Sequence, residues 1–137
     1  MRHLRNADDI PAQKRGIDRW VQLDNGQILR IEEKERGKWY GDILLEYVSN
    51  DATNAPGWME KDLNIHYLLY SVPSRRFCYV YPWHMLKRAW DRNKEDWRER
   101  FGTVTACNVG YNTLSVPVPL AVLTAEVYRA GLILLPK

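Results

Sequence analysis

The stretch GIDRWVQLDNGQILRIEEKER, residues 16–36, holds two apolar-bearing runs around Asp24-Asn25-Gly26 and closes on five consecutive charges, Glu32, Glu33, Lys34, Glu35 and Arg36. Asn-Gly between two such runs is a strong hairpin signal and predicts strands over residues 17–23 and 28–35. Two registers compete. A two-residue Asn25-Gly26 turn sets Val21 against Arg30 and Trp20 against Ile31, mixing polar and apolar residues on both faces. A three-residue loop with Gly26 in the left-handed position of a G1 bulge instead pairs Val21 with Leu29, Arg19 with Ile31 and Asp18 with Glu32. One face then collects Ile17, Val21, Leu23, Leu29 and Ile31. The other collects Asp18, Trp20, Gln22, Arg30, Glu32 and Lys34, with Ile28 as its one apolar member. A slip of one residue exchanges the two faces, so the register with the cleaner apolar face is expected.

That register groups Asp18, Glu32 and Lys34. Two carboxylates on neighbouring strands repel unless positive charge lies between them. A divalent cation answers the repulsion, and Mg²⁺ favours one or two carboxylates with water and substrate phosphate in its other positions. Lys34 points to the same side as Glu32, where its ammonium can hold an attacking water and stabilise charge developing on a phosphate. This chemistry suits phosphodiester hydrolysis. The alternative is an ion-pair cluster on a solvated edge hairpin, contributing about 0–1 kcal/mol.

Working outward, residues 7–15 can form a short helix closed by Gly16. GDILLEYVS, residues 41–49, is nearly continuous in apolar residues and reads as a central strand beside the hairpin, buried on both faces. Residues 50–57 form a loop. In residues 58–72, Trp58, Leu63, Tyr67 and Tyr70 fall at helical spacing, and Pro73 ends the segment. RFCYVYPW is an aromatic strand. The segment from His84 to Phe101 is a helix with Leu86, Trp90 and Trp97 on its core stripe and Lys87, Arg88 and Arg92 off it. A strand around residues 111–118 and a helix over 120–130 complete the chain. Strands and helices mixed at these intervals predict an α/β fold around a mixed sheet.

The chain of 137 residues, with 45% hydrophobic and 27% charged residues, predicts a single soluble domain. No apolar run approaches the roughly 20 residues that span a bilayer, and the charged N-terminus lacks a secretory apolar segment. A cytoplasmic protein without a membrane partner is expected. The formal charge of +3 permits nucleic acid as a partner without requiring it. Cys78 and Cys107 lack CxxC or histidine-pair spacing and are expected as buried thiols.

Asp18, thirteen intervening residues and then Glu32-Glu33-Lys34 as an E-x-K triplet, in a helix, three-strand, helix, strand order, resemble the PD-(D/E)XK nuclease superfamily. The resemblance covers roughly residues 7–82. Ile17 stands where that pattern usually has proline. DILLEYVSND, GWMEKDL and GYNTLSVPVPLAVL are also similar to segments of small phage and prophage proteins, implying a phage or prophage origin. By resemblance, the fold is a restriction-endonuclease-like core in αβββαβ order with a C-terminal strand-helix extension. Asp18 and Glu32 are metal ligands for Mg²⁺, with Mn²⁺ as a substitute, and Lys34 is catalytic. The accessory residue on the first helix is Gln13, Asp9 or Asp8.

The implied activity is Mg²⁺-dependent endonucleolytic hydrolysis of nucleic acid, DNA in the first instance, and a homodimer is needed for one small domain to cut both strands. The alternative is a non-catalytic nucleic-acid-binding or phage assembly protein of the same fold. Glu46 is either a further ligand or a carboxylate paired with an arginine. His66 is expected as a packed, hydrogen-bonded histidine. Lys87, Arg88 and Arg92 are either a solvated helix face or the phosphate-contacting rim of the nuclease.

Overall fold

A computed structural model describes residues 3–6 and 19–134. The expected helix over residues 7–15, together with Gln13 and Asp18, lies outside them. The described chain is α/β, with a mixed sheet, an antiparallel sheet and two helices. It divides into two compact units interleaved in sequence, residues 1–39 with 63–84, and residues 40–62 with 85–137.

The first unit is built on β1 (His3–Asn6), β2 (Arg19–Gln22), β3 (Ile28–Glu35), β6 (Tyr67–Val72) and β7 (Phe77–Pro82), adjacent in that order. β2 and β3 take the three-residue register, Arg19 opposite Ile31 and Val21 opposite Leu29. The loop explains why. Leu23 N–H donates to Gln27 O at 2.8 Å, Gly26 N–H donates to Leu23 O at 2.9 Å, and Gly26 has φ +86°. Only a residue without Cβ takes that conformation cheaply, so Gly26 sets the register of the pair.

On its other side β3 pairs in parallel with β6, Glu32 beside Leu68 and Lys34 beside Tyr70. Two expectations are corrected here. Residues 58–72 form no long helix. Trp58–Glu60 is a single 3₁₀ turn, and Tyr67–Val72 is a strand whose buried residues Leu68, Tyr70 and Val72 alternate with period two. The apolar strand of residues 42–50 is not the hairpin's neighbour and belongs to the other sheet. The buried side of the mixed sheet also differs from expectation. At β6 it is the side of Leu68 and Tyr70, which by register is the side of Glu32 and Lys34. On the opposite face Val21 is buried, but Leu29 and Ile31 are half-buried and Val80 is 53% exposed.

The second unit holds β4 (Asp42–Asn50), β5 (Ala55–Pro56), β8 (Val104–Asn108) and β9 (Tyr111–Pro119), in the order β5-β4-β9-β8. It also holds α2 (Leu120–Leu134) and all but the first two residues of α1 (Trp83–Phe101). Leu86, Trp90 and Trp97 on α1 are buried, with the two indoles 6.5 Å apart, as the helical stripe predicts. Gly57 passes so close to β4 that a Cβ would sit 2.4 Å from Glu46 O. Both cysteines are exposed free thiols rather than buried ones: Cys78 shares the exposed side of β7 with Val80, and Cys107 lies on β8, an edge strand exposed at every position. No described helix is long and apolar enough to cross a membrane.

Candidate active site

Glu32 sits in mid-strand on β3, one residue past the described pairing with β2, where the parallel partner β6 presents Leu68 beside it. The residue is only 7% exposed, one of the two buried polar residues among those described. An ionised carboxylate in such a place carries a desolvation cost of several kcal/mol unless cations and hydrogen bonds compensate it. The alternation of the strand supplies cations on both sides of it, because Arg30 and Lys34, two residues before and after, share its face. Lys34 Nζ lies 3.1 Å from Glu32 Oε1, with the lysine side chain 33% exposed. One end of this ion pair therefore reaches solvent while the other is packed in the sheet.

Arg30 is anchored rather than mobile. Its Nε donates to Asn64 O at 2.9 Å and its Nη2 to Asn64 Oδ1 at 3.1 Å. Its backbone N–H donates to His66 Nδ1 at 2.9 Å, and His66 N–H returns a bond to Arg30 O at 2.8 Å. His66 is thus the hydrogen-bonded histidine expected, although on an extended segment rather than a helix. Burial first, and then the nearby charges of Arg30 and His84, hold its pKa below the ordinary histidine value. A neutral imidazole is what an accepting Nδ1 requires.

Glu33 points to the other face, as the pleat demands, and is used structurally. Arg19 Nη2 is 2.6 Å from Glu33 Oε1, and Ser71 Oγ donates to Glu33 Oε2 at 3.2 Å. The two adjacent glutamates are therefore separated by the strand. Glu33 ties β2 to β6, and Glu32 is left on the face of Lys34. Among the described residues no three His, Cys, Asp or Glu side chains converge as a metal-binding group. The expected pairing of Asp18 with Glu32 falls outside the described residues.

The remaining candidates lie in the second unit. Glu46 Oε2 accepts the Trp58 N–H at 3.1 Å, which fixes the 3₁₀ turn against β4, a role neither expectation for it included. Lys87 Nζ donates to Met59 O and lies 3.5 Å from Asp91 Oδ1, while Lys94 Nζ is 3.2 Å from Glu60 Oε2. Those two lysines tie α1 to the 3₁₀ turn; Arg88 and Arg92 are on the same helix, and both are exposed. Of the expected site residues, the structure brings together Glu32 and Lys34.

Sequence reasoning passed over the residues around Arg36 and Arg76. The signal was available, since RGKW and PSRRF each set basic residues beside an aromatic and contain no acid. Comparison of the chain with protein-family models, with curated proteins and with solved structures finds no match.

Proposed function

We propose that the chain is a Mg²⁺-dependent nuclease that hydrolyses phosphodiester bonds in DNA, with Glu32 and Asp18 as its metal-ligating carboxylates and Lys34 as its catalytic lysine. One observation carries the reading. A carboxylate 7% exposed, in the middle of an interior strand, shares its face with a lysine 3.1 Å away that reaches solvent. Stability does not require that arrangement, since an apolar pair of similar volume is often as stable or more so.

The donor chemistry fits the ion. Hard carboxylate oxygens, few in number, are what Mg²⁺ takes from a protein when substrate phosphate and water complete its shell. Bound there, the ion supplies neutralisation of charge on the scissile phosphate. The ammonium of Lys34 orients a water in line with the phosphorus and stabilises the negative charge that builds as it adds. The P–O bond to the leaving sugar oxygen breaks as the adding water gives up a proton to solvent and the leaving oxygen takes one from solvent, giving a phosphate end and a hydroxyl end. Arg30, held by Asn64, adds fixed positive charge on the same face.

Support for the restriction-endonuclease-like core is partial: the β2–β3 hairpin carries E-x-K and a crossover leads to a parallel β6, whereas the third strand of the expected order, residues 42–50, lies in the other sheet. That crossover, residues 36–66, carries β4, β5 and a 3₁₀ turn where the resemblance implies a helix. A second reading, a non-catalytic nucleic-acid-binding or phage assembly protein, is favoured by the fact that Glu32 Oε1 and Lys34 are already ion-paired with each other. Supercoiled plasmid, linear duplex, single strands and a four-way junction, each tested with Mg²⁺, Mn²⁺ and chelator, decide between them. Metal-dependent cutting supports the nuclease; binding without cutting supports the second reading.

A further inference from the structure

We propose that the end of the mixed sheet beside Lys34 is a binding surface for single-stranded nucleic acid, with bases stacked on Trp39, Phe77 and Tyr79 and phosphates held by Lys38, Arg75 and Arg76. The inference rests on the nuclease reading in taking the bound strand as the substrate; the binding itself stands on the following geometry.

The two loops that close this end of the sheet are joined. Ser74 Oγ donates to Gly37 O at 2.9 Å, and Arg36 N–H donates to Ser71 O at 2.9 Å. Lys38 follows Gly37, and Arg75 and Arg76 follow Ser74, so the tie places three cations on neighbouring loops. Neither loop contains an acidic residue to neutralise them. Arg76 holds φ +56°, a left-handed conformation that glycine or asparagine occupies more cheaply. The turn thus keeps a cation where stability alone favours a smaller residue.

The rings lie on the same side of the sheet as Lys34. Register runs from Lys34 to Tyr70 on β6 and from Tyr70 to Tyr79 on β7. Two interstrand steps place Tyr79 about 10 Å from the lysine's strand. Trp39 stacks on Tyr79 with centroids 5.7 Å apart and planes at 30°, and meets Phe77 edge-on at 5.2 Å. All three rings are half-buried, with Tyr70 and Val72 buried next to Tyr79 and Phe77, so the cluster is a supported shelf at the margin of the sheet's buried side. A shelf of aromatic rings bordered by cations matches a strand of unpaired bases, whose faces stack and whose phosphates pair with Lys and Arg. A duplex offers the cations the same phosphates but hides the faces of its bases.

Fluorescence anisotropy in chelator, with labelled oligothymidylate, oligouridylate and a duplex of matched length across a salt series, reads binding without cleavage. Arg75→Glu with Arg76→Glu is expected to weaken single-strand binding at least tenfold and to flatten the log-log salt slope by about 1.4, at roughly 0.7 for each phosphate no longer neutralised. Trp39→Leu is expected to weaken it by about 5- to 100-fold at unchanged salt slope, with duplex binding unaffected and Trp39→Phe recovering most of the loss. Thermal melts establish folding, and if Trp39→Leu does not fold, the charge reversal on the exposed loops decides. The DNA and RNA oligomers show which sugar is preferred, and binding of either supports the surface.

Unchanged single-strand affinity in the charge-reversed variant, or equal loss on single strand and duplex in Trp39→Leu, overturns the inference. Cutting without single-strand binding overturns this surface and leaves the nuclease reading standing. Single-strand binding that follows these variants, with no substrate cut, keeps the surface and overturns the nuclease.

Discussion

The Glu32–Lys34 pair fixes, in measurable terms, the face on which β3 presents its charges. At 3.1 Å and an effective dielectric near 20, the Coulomb attraction is about 5 kcal/mol. Lys34 is 33% exposed, so water and salt screen its end of the pair, and the coupling that survives is expected at about 1–2 kcal/mol. The single variants then diverge. Glu32→Gln removes the pair but also the cost of holding a carboxylate at 7% exposure, and its stability should stay within about 1 kcal/mol of the parent. Lys34→Met removes the ammonium and leaves the carboxylate in place, a loss of about 2 kcal/mol, below the roughly 3–5 kcal/mol of a fully buried pair. Urea melts of the parent, both singles and the double variant at neutral pH complete the cycle. A coupling under about 0.3 kcal/mol, or a Glu32→Gln loss larger than that of Lys34→Met, would refute the shared face and with it the geometry of the site.

Three further outcomes follow from other parts of the chain. Gly57→Ala drives a Cβ against Glu46 O and is expected to cost about 2–3 kcal/mol in a chemical melt, with a smaller loss contradicting the close passage over β4. Arg76→Gly relieves the left-handed strain but gains unfolded-state entropy, for a net stabilisation of about 0.5 kcal/mol, while weakening single-strand binding. His66 is depressed in the folded state, so between its folded pKa and about 6.5 the unfolded chain binds more protons and stability rises with pH. Its contribution is complete above that window and lost as pH falls through it. His66→Asn, which keeps an acceptor for the Arg30 N–H, should flatten the slope of stability against pH below about 6.5.

The hairpin was legible because its determinants are local. Gly26 forces the bulge, and alternation does the rest, so the pairing of Arg19 with Ile31 could be read from a few adjacent residues. The parallel pairing of β3 with β6 was not legible, since it is made across a crossover of residues 36–66 and leaves no mark on either strand's sequence. Residues 58–72 carry two periods at once. Trp58, Leu63, Tyr67 and Tyr70 fit a helix, but Leu68, Tyr70 and Val72 also alternate, and pairing between β3 and β7 rewards the second pattern. The same swap misplaced the strand of residues 42–50, whose apolar run identified a buried strand but not which sheet it joins. Glu32 and Lys34 were readable as a pair because both lie on one strand, two residues apart. The rings of Trp39, Phe77 and Tyr79 come from separate segments, and only the fold brings them together.

The most direct test of the nuclease reading is the rate of cleavage in Mg²⁺, with the best substrate of the panel, for the parent, Glu32→Gln, Lys34→Ala and Asp18→Ala, each shown by melting to be folded. Metal-dependent cutting by the parent is expected, with a loss of about 100-fold or more in every variant, the scale on which a charge-stabilising group at a reacting centre acts. Cutting at the parental rate by folded Glu32→Gln or Lys34→Ala would contradict that reading and leave the pair as a structural tie within the sheet.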